Sequence, residues 1–289
     1  MGQTTIARLQ ILLGAMLFST GGVAIKLSSL SGWQIAGFRA ATAAVFMLVL
    51  LPAARRGFSW RTGLVAVPYA ATFILYTLAN KETTAANAIF LQDTAPLYLL
   101  LLGPALLKEG IGRSELSLLC ALAVGALLIV TSTVDPLATA PRPRLGNLLG
   151  LASGLSWALS LLGLRWIARR PLHAREQALS AIVAGCALAF VFSSIFAFPV
   201  AAVNWLDGWI VLYLGLFQIG LAYVLITKGM QHVSALESSL LLLMEPVLTP
   251  LWAWLLLTET PTGLVLSGGA IILAATLIHT LRQRRAASG

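Results

Sequence analysis

Ten long apolar runs divide this chain, and its polar residues collect in the short gaps between them. The runs occupy residues 6–27, 33–51, 60–79, 83–106, 114–132, 146–168, 178–198, 208–230, 235–257 and 263–281. About 20 apolar residues at about 1.5 Å of rise each cover a hydrocarbon core of about 30 Å. The runs lack the apolar–polar alternation over about ten positions that marks a barrel strand. The pattern therefore predicts an all-α integral membrane protein with ten transmembrane helices. The longest gap, 133–145, contains Asp135, Pro136, Pro141, Arg142, Pro143 and Arg144. It is read as a linker between a first half, 1–132, and a second half, 146–289, with five spans in each.

Composition agrees with this pattern. Of 289 residues, 58% are hydrophobic and only 10% charged, where soluble domains carry about 25% charged residues. One soluble core cannot hide that much apolar surface, whereas lipid solvates it. Arg8 precedes an apolar run that starts at Leu9 and shows no small-residue cleavage pattern, so the first run reads as a retained span. Cys120 and Cys186 both fall inside apolar runs and read as small buried apolar side chains. His173, His232 and His279 are far apart and match no ligand spacing. No metal or cofactor is expected.

The net charge of +9 is spread over the gaps rather than gathered in one basic patch, which argues against nucleic acid and for a topology signal. With the N-terminus cytoplasmic, the cytoplasmic side takes Arg8, Arg55, Arg56, Arg61, Lys108, Arg113, Arg165, Arg169, Arg170, Arg175, Lys228, Arg282, Arg284 and Arg285. The far side takes only Lys26, Lys81, Arg142 and Arg144. Basic residues favour the cytoplasmic side, so both termini are expected there.

The two halves repeat each other. Thr94-Ala95-Pro96 followed by Lys108-Glu109 matches Met244-Glu245-Pro246 followed by Thr258-Glu259 at an offset of 150. Phe18 with Lys26 matches Trp157 with Arg165 at an offset of 139. An odd number of spans per half makes the second copy enter the membrane inverted. Inverted repeats recur in secondary transporters, which bind substrate near the midplane between the copies.

These residues resemble a known group. Gly14-Ala15-Met16-Leu17-Phe18 through Ile25-Lys26, Gly37-Phe38-Arg39, Gly146 through Ala158 with Arg165, and Glu245-Pro246 with Glu259 are similar to the drug/metabolite transporter superfamily. Within it they resemble the ten-span carriers with two EamA-type repeats. Phe18 stands where that family favours tryptophan. The organisation is similar to that of bacterial amino-acid exporters, including exporters of aromatic amino acids. The resemblance implies an inner-membrane carrier for small metabolites.

Charges inside spans are costly and usually face a cavity or a partner. Asp93 and Glu245 lie about ten residues into the fourth and ninth spans, close to the midplane. Arg39 lies in the second span and is expected to pair with Asp93. The three are candidates for binding the amino and carboxylate groups of a zwitterion or for exchanging a proton; a structural ion pair is the alternative. A mid-helix proline removes one hydrogen bond and pushes on the carbonyl four residues back. Pro96 and Pro246 are therefore candidate hinges that free the carbonyls of Gln92 and Leu242. Asn87 and Glu237, nine residues before those prolines, are candidate gate residues at opposite faces. Trp157, Tyr76, Tyr98 and Tyr223 are candidate aromatic walls. Gly146, Gly150 and Gly154 form a stripe suited to close helix packing.

The function expected is a secondary carrier working by alternating access on amino acids or similar metabolites, outward, as a monomer in lipid, with protons as a candidate coupling ion. A passive channel is the second reading, although the sequence offers no repeated polar ring. A membrane enzyme is the third, although no His-Glu-x-x-His, serine-nucleophile or paired-Asp motif occurs. The chain has no nucleotide-binding loop either, against a primary pump.

Overall fold

A computed structural model describes residues 2–107, 113–132, 137–169, 173–200 and 204–288, without the side chains of 104–107, 113–114, 235–236 and 283–288. Lys108, Glu109, Asp135, Pro136 and Arg170 lie outside the described residues, so the Lys108-Glu109 half of the repeat match is not seen. The described residues form ten helical spans and no sheet.

The first span, Gln3–Leu27, is two helices, Gln3–Ser19 and Gly21–Leu27, joined at Thr20. The second, Gly32–Leu50, starts on a capping box in which Ser31 and Gln34 satisfy each other's backbone N–H. The third, Trp60–Glu82, starts on Ser59 and Thr62 in the same way. The fourth is split into Ala85–Gln92 and Ala95–Leu107, and the fifth is Arg113–Thr131. The sixth, Pro143–Ala168, begins three residues earlier than expected. Proline suits a helix's first turn, where its missing N–H costs nothing, so the linker is shorter than the polar residues suggest. The seventh is Ala174–Ala197. The eighth, Trp205–Gly229, starts on Asn204 and Asp207 and is π-helical over Tyr213–Leu221. The ninth is split into Ala235–Leu242 and Met244–Leu257, and the tenth is Gly263–Ser288.

Packing follows the inverted repeat. Exchanging the halves replaces each span by the one five places along. The third span packs on the sixth, and its exchanged counterpart, the first on the eighth, is also present. The fourth on the sixth answers to the first on the ninth, and the third on the seventh to the second on the eighth. The second–seventh and fifth–tenth pairs map onto themselves.

Small residues face inward and large ones outward. On the second span Ala36, Ala40 and Ala43 are buried while Val45, Val49 and Leu50 are exposed. Trp205, Ile195 and Trp60 are among the most exposed large apolar residues; in water such a surface aggregates, and in lipid it is solvated. Cys186 is buried as expected, but Cys120 faces outward. It sits on the fifth span, which packs chiefly on the tenth at the edge of the bundle.

The glycine stripe of the sixth span lies on the third and fourth. A methyl group at Gly154 would stand 2.8 Å from the Leu91 carbonyl oxygen and 2.9 Å from that of Gln92. Backbone cannot yield as a side-chain tip does. Gly154→Val is expected to destabilise the fold by about 1–3 kcal/mol through overpacking, read as a lower unfolding temperature in detergent. Gly63→Ala, at a site with no atom within 4 Å, is expected to change it little; an equal response of the two would show that the stripe does not set the packing.

Candidate functional site

The interruptions of the helices meet at one place. Asp93 ends the helix Ala85–Gln92, its N–H bonded to the Ile89 carbonyl at 2.9 Å, and Pro96 is the second residue of the helix that follows. In the ninth span Leu243 separates the two helices, so Glu245 and Pro246 fall in the first turn of Met244–Leu257. The expectation of a proline within a continuous helix is corrected in both copies: the helix breaks just ahead of it, and the proline occupies a position that has no intrahelical donor to lose. A carboxylate in a helix's first turn is also favoured by the helix dipole.

A cavity of about 130 Å³ lies at this level. Its lining comes from both halves: Phe18, Arg39, Tyr69, Thr72, Phe73, Tyr76, Gln92 and Asp93 from the first, and Trp157, Gln218, Ile219, Tyr223 and Glu245 from the second. Six expected residues of the fourth, second, third, sixth, eighth and ninth spans therefore converge here with Gln92, whose side chain accepts from Ser153 Oγ at 2.7 Å. Tyr98 is not among the lining residues; it is half-buried and bonded to Thr94. Phe18 meets Tyr223 edge-on at 5.3 Å, and Tyr69 meets Trp157 at 5.7 Å. A second space continues from Asp93 and Glu245 past Leu161, Ser239, Leu242 and Thr276, toward the face that carries both chain ends, the terminal face.

Arg39 is 2% exposed and does not pair with Asp93. It donates to Gln218 Oε1 at 3.5 Å and to the Phe73 carbonyl at 3.1 Å, with its guanidinium 5.9 Å from the Phe73 ring centre. In place of the expected ion pair, Arg39 is held by Gln218, on the π-helical turn of the eighth span, and by the backbone of the third. Arg39 Nε and Asp93 Oδ2 are buried without a hydrogen-bond partner. Such groups are rare in a folded protein, and these two belong to residues that line the cavity.

The opposite face is sealed. Lys26 Nζ lies 2.9 Å from Glu259 Oε1, and both side chains are 2% exposed. Lys26 also donates to the carbonyls of Thr83, at 2.7 Å, and Thr139, while Glu259 accepts the Ala85 N–H at 2.9 Å. The pair thus ties the first and ninth spans to the free N-terminus of the fourth. Nearby, Asn147 Oδ1 accepts from Asn87 at 2.9 Å and from Thr83 at 2.8 Å, closing the sixth span onto the fourth. On the terminal face Arg8 Nε lies 2.5 Å from Glu237 Oε1, closing the first span onto the ninth. Arg8 corresponds to Asn147 at the offset of 139, and Glu237 to Asn87 at the offset of 150. One contact therefore occurs twice, once per copy, at opposite faces.

Sequence reasoning missed Lys26 and Glu259 as partners, and Arg8, Asn147 and Gln218 altogether. The offsets alone carried a signal for Arg8 with Asn147. Among the described residues no group of ligating side chains suits a metal.

A multi-pass helical bundle with a cavity between two repeated halves, aromatic-walled and holding a few charged groups, is an architecture found in membrane transporters. The chain matches the EamA-like transporter family twice, over residues 5–131 and 144–281, and it belongs to that family. It is 30% identical over 207 residues to an uncharacterized transporter of Archaeoglobus fulgidus, covering 72% of this chain and 71% of that one. It is 25% identical over 277 residues to the pseudopaline exporter CntI of Pseudomonas aeruginosa, covering 92% of both. A crystal structure with a TM-score of 0.63 and 20% identity covers 96% of this chain and 98% of its own, and shares the fold.

The two faces differ in strength. Removing one member of a buried ion pair leaves an uncompensated charge and costs about 3–5 kcal/mol, whereas exposed pairs contribute about 0–1 kcal/mol. Lys26→Met is expected to lower stability by the former amount and Arg8→Gln by no more than the latter, both measured by unfolding in detergent. Equal losses would show that Lys26 and Glu259 are not held as a buried pair.

Proposed function

We propose that this transporter moves amino acids or similar small metabolites across the bacterial inner membrane by alternating access, outward from the cell. The observation that carries the reading is the twice-occurring closing contact, Arg8–Glu237 and Asn147–Asn87, on either side of a cavity lined by both halves. Both contacts are made in this structure; two inverted copies can exchange conformations, and in this scheme each half of the cycle opens one of the two contacts while the other stays closed. The cavity suits an aminocarboxylate: Arg39 offers a free Nε to a carboxylate, and Asp93 and Glu245 offer acceptors to an ammonium group.

Pro96 and Pro246 serve as paired hinges in this scheme, next to the breaks at Asp93 and Leu243, and Asn87 and Glu237 serve as gate residues. The basic residues favour both termini in the cytoplasm. On that orientation the sealed face is the outer one, and the space beyond Asp93 and Glu245 leads inward, where an exporter loads. The pseudopaline exporter among the relatives supports export. Residues 1–132 and 146–289 are the two repeats in this reading, joined by 133–145, and the protein works as a monomer.

A channel is the competing reading, and counterflow separates the two. Purified protein in liposomes preloaded with unlabelled amino acid is expected to accumulate labelled amino acid transiently; uptake indifferent to the internal load would identify a channel. Asp93→Asn and Glu245→Gln are each expected to slow counterflow at least tenfold, and wild-type rates in both would remove these residues from the pathway. Arg8→Glu is expected to slow exchange and Arg8→Glu with Glu237→Arg to restore it, since the contact needs opposite charges but neither order of them; no recovery in the double variant would argue against a gate.

A further inference from the structure

We infer that a groove between the third and sixth spans binds an anionic phospholipid of the leaflet on the terminal face, with an acyl chain in the groove and the phosphate on Arg61. The site is separate from the central cavity and does not depend on what that cavity carries.

The groove holds about 630 Å³. Val65, Pro68 and Ala71 line it from the third span, and Leu159, Gly163 and Trp166 from the sixth. Leu64, Val67 and Leu159 belong to it and are exposed in mid-span, so it opens toward lipid. An apolar recess facing hydrocarbon is filled by an acyl chain, because an empty one forfeits dispersion contacts on its whole lining. The length also fits one chain. From Arg61 to Ala71 is ten residues, about 15 Å of helix, or about half of a hydrocarbon core of about 30 Å. The groove therefore runs from the headgroup level to the midplane, the depth of one leaflet.

Arg61 stands at its mouth. Leu64, Val65 and Pro68 follow it at three, four and seven positions, so all four share one helix face. The Arg61 guanidinium lies 4.8 Å from the Trp166 ring centre and 5.3 Å from that of Trp60, and it makes no ion pair with a described residue. Trp166 thus belongs to both the groove and the cation. The two rings hold the guanidinium by its π-contacts and consume none of its N–H groups, whose fork matches a phosphate. Basic pockets between spans are a known means of holding acidic head groups. Arg55, on the same face of the membrane, is differently placed: it donates to the carbonyls of Leu48 and Val49 on the second span.

The inverted copy carries the groove without the cation. Leu162, Gly163 and Trp166 correspond to Val23, Ala24 and Leu27 at the offset of 139, and Val65 and Pro68 to Ile210 and Tyr213 at an offset of 145. The counterparts all line a second groove, of about 430 Å³, where the first and eighth spans meet toward the sealed face. Arg61 corresponds there to Leu206, and Trp166 to Leu27. The repeat accounts for an apolar groove in each leaflet. It does not account for a cation held by two indoles at one mouth alone, and that asymmetry is what selects an anionic head group.

Native mass spectrometry of the purified protein in detergent tests this, with phosphatidylglycerol and phosphatidylcholine of identical acyl chains as probes. The wild type is expected to retain phosphatidylglycerol at least tenfold better and to unfold at a higher temperature with it. Arg61→Gln is expected to abolish the preference, and Arg55→Gln to leave it unchanged. Should Arg61→Gln unfold early, Ala71→Phe carries the test: it fills the inner end of the groove and is expected to cut phosphatidylglycerol retention at least tenfold. Equal retention of the two lipids by the wild type, or a preference that survives Arg61→Gln, would overturn the inference. So would a preference lost equally in Arg55→Gln, which would assign it to the diffuse charge of that face. Inorganic phosphate protecting as well as phosphatidylglycerol would show that no chain enters the groove, and a delipidated dimer that added lipid does not disperse would give the groove to a second copy of the chain; either result overturns the lipid site.

Discussion

In hydrocarbon no water competes for a backbone N–H or C=O, and each such group left unsatisfied costs several kcal/mol. That constraint makes every span a helix, and it also says where a helix can stop. The interruptions here are at Thr20, Asp93–Thr94 and Leu243, with the π-helical stretch Tyr213–Leu221. Asp93 and Leu243 border the central cavity or the space that continues from it, and the carbonyls freed at the first two breaks have protein partners. Thr94 Oγ1 donates to the Leu91 carbonyl at 2.6 Å, Thr249 to that of Ser19 at 3.2 Å, and Gln218 to that of Phe18 at 3.3 Å. Irregular backbone at membrane depth is tolerated where it lines a cavity. The site lies at the breaks; the one in the first span is satisfied by the eighth and ninth spans, and the one in the fourth by its own Thr94.

The same groups that satisfy the breaks also shape the chemistry. Gln218 reaches both Phe18 and Arg39 from a π-helical turn, so it ties the first span to the second through the eighth. Inserting a residue into a helical turn redirects side chains, a device often found at functional sites. Here the π-helical stretch carries the amide that meets the Arg39 guanidinium, and Asp93 and Glu245 line the cavity.

The two ends of the pathway obey one symmetry with different chemistry. The closing contact occupies equivalent positions in the two copies but is neutral and buried on one face, ionic and half-exposed on the other. The buried face is reinforced by Lys26 and Glu259, which have been taken out of water together. A weak, hydrated contact thus stands opposite a strong, dry one, and both are made in the structure.

Hydropathy alone determined the number of spans, because a bilayer-crossing helix needs one long apolar run, and that requirement is local in sequence. The duplication was also legible, through Pro96 with Pro246 and through the offsets of 139 and 150. So were six of the residues that line the cavity with Gln92, since a charge or an indole deep in an apolar run has few places to go. What only the tertiary structure decided is which of these groups meet. Arg39 goes to Gln218 rather than Asp93, Lys26 meets Glu259 across 233 positions of sequence, and Tyr98 misses the cavity, because helix rotation and contact are set by packing of small against large faces and not by depth. A sequence reports how far along a span a residue lies; its partner depends on which way the helix is turned, and that is fixed only when all ten pack together.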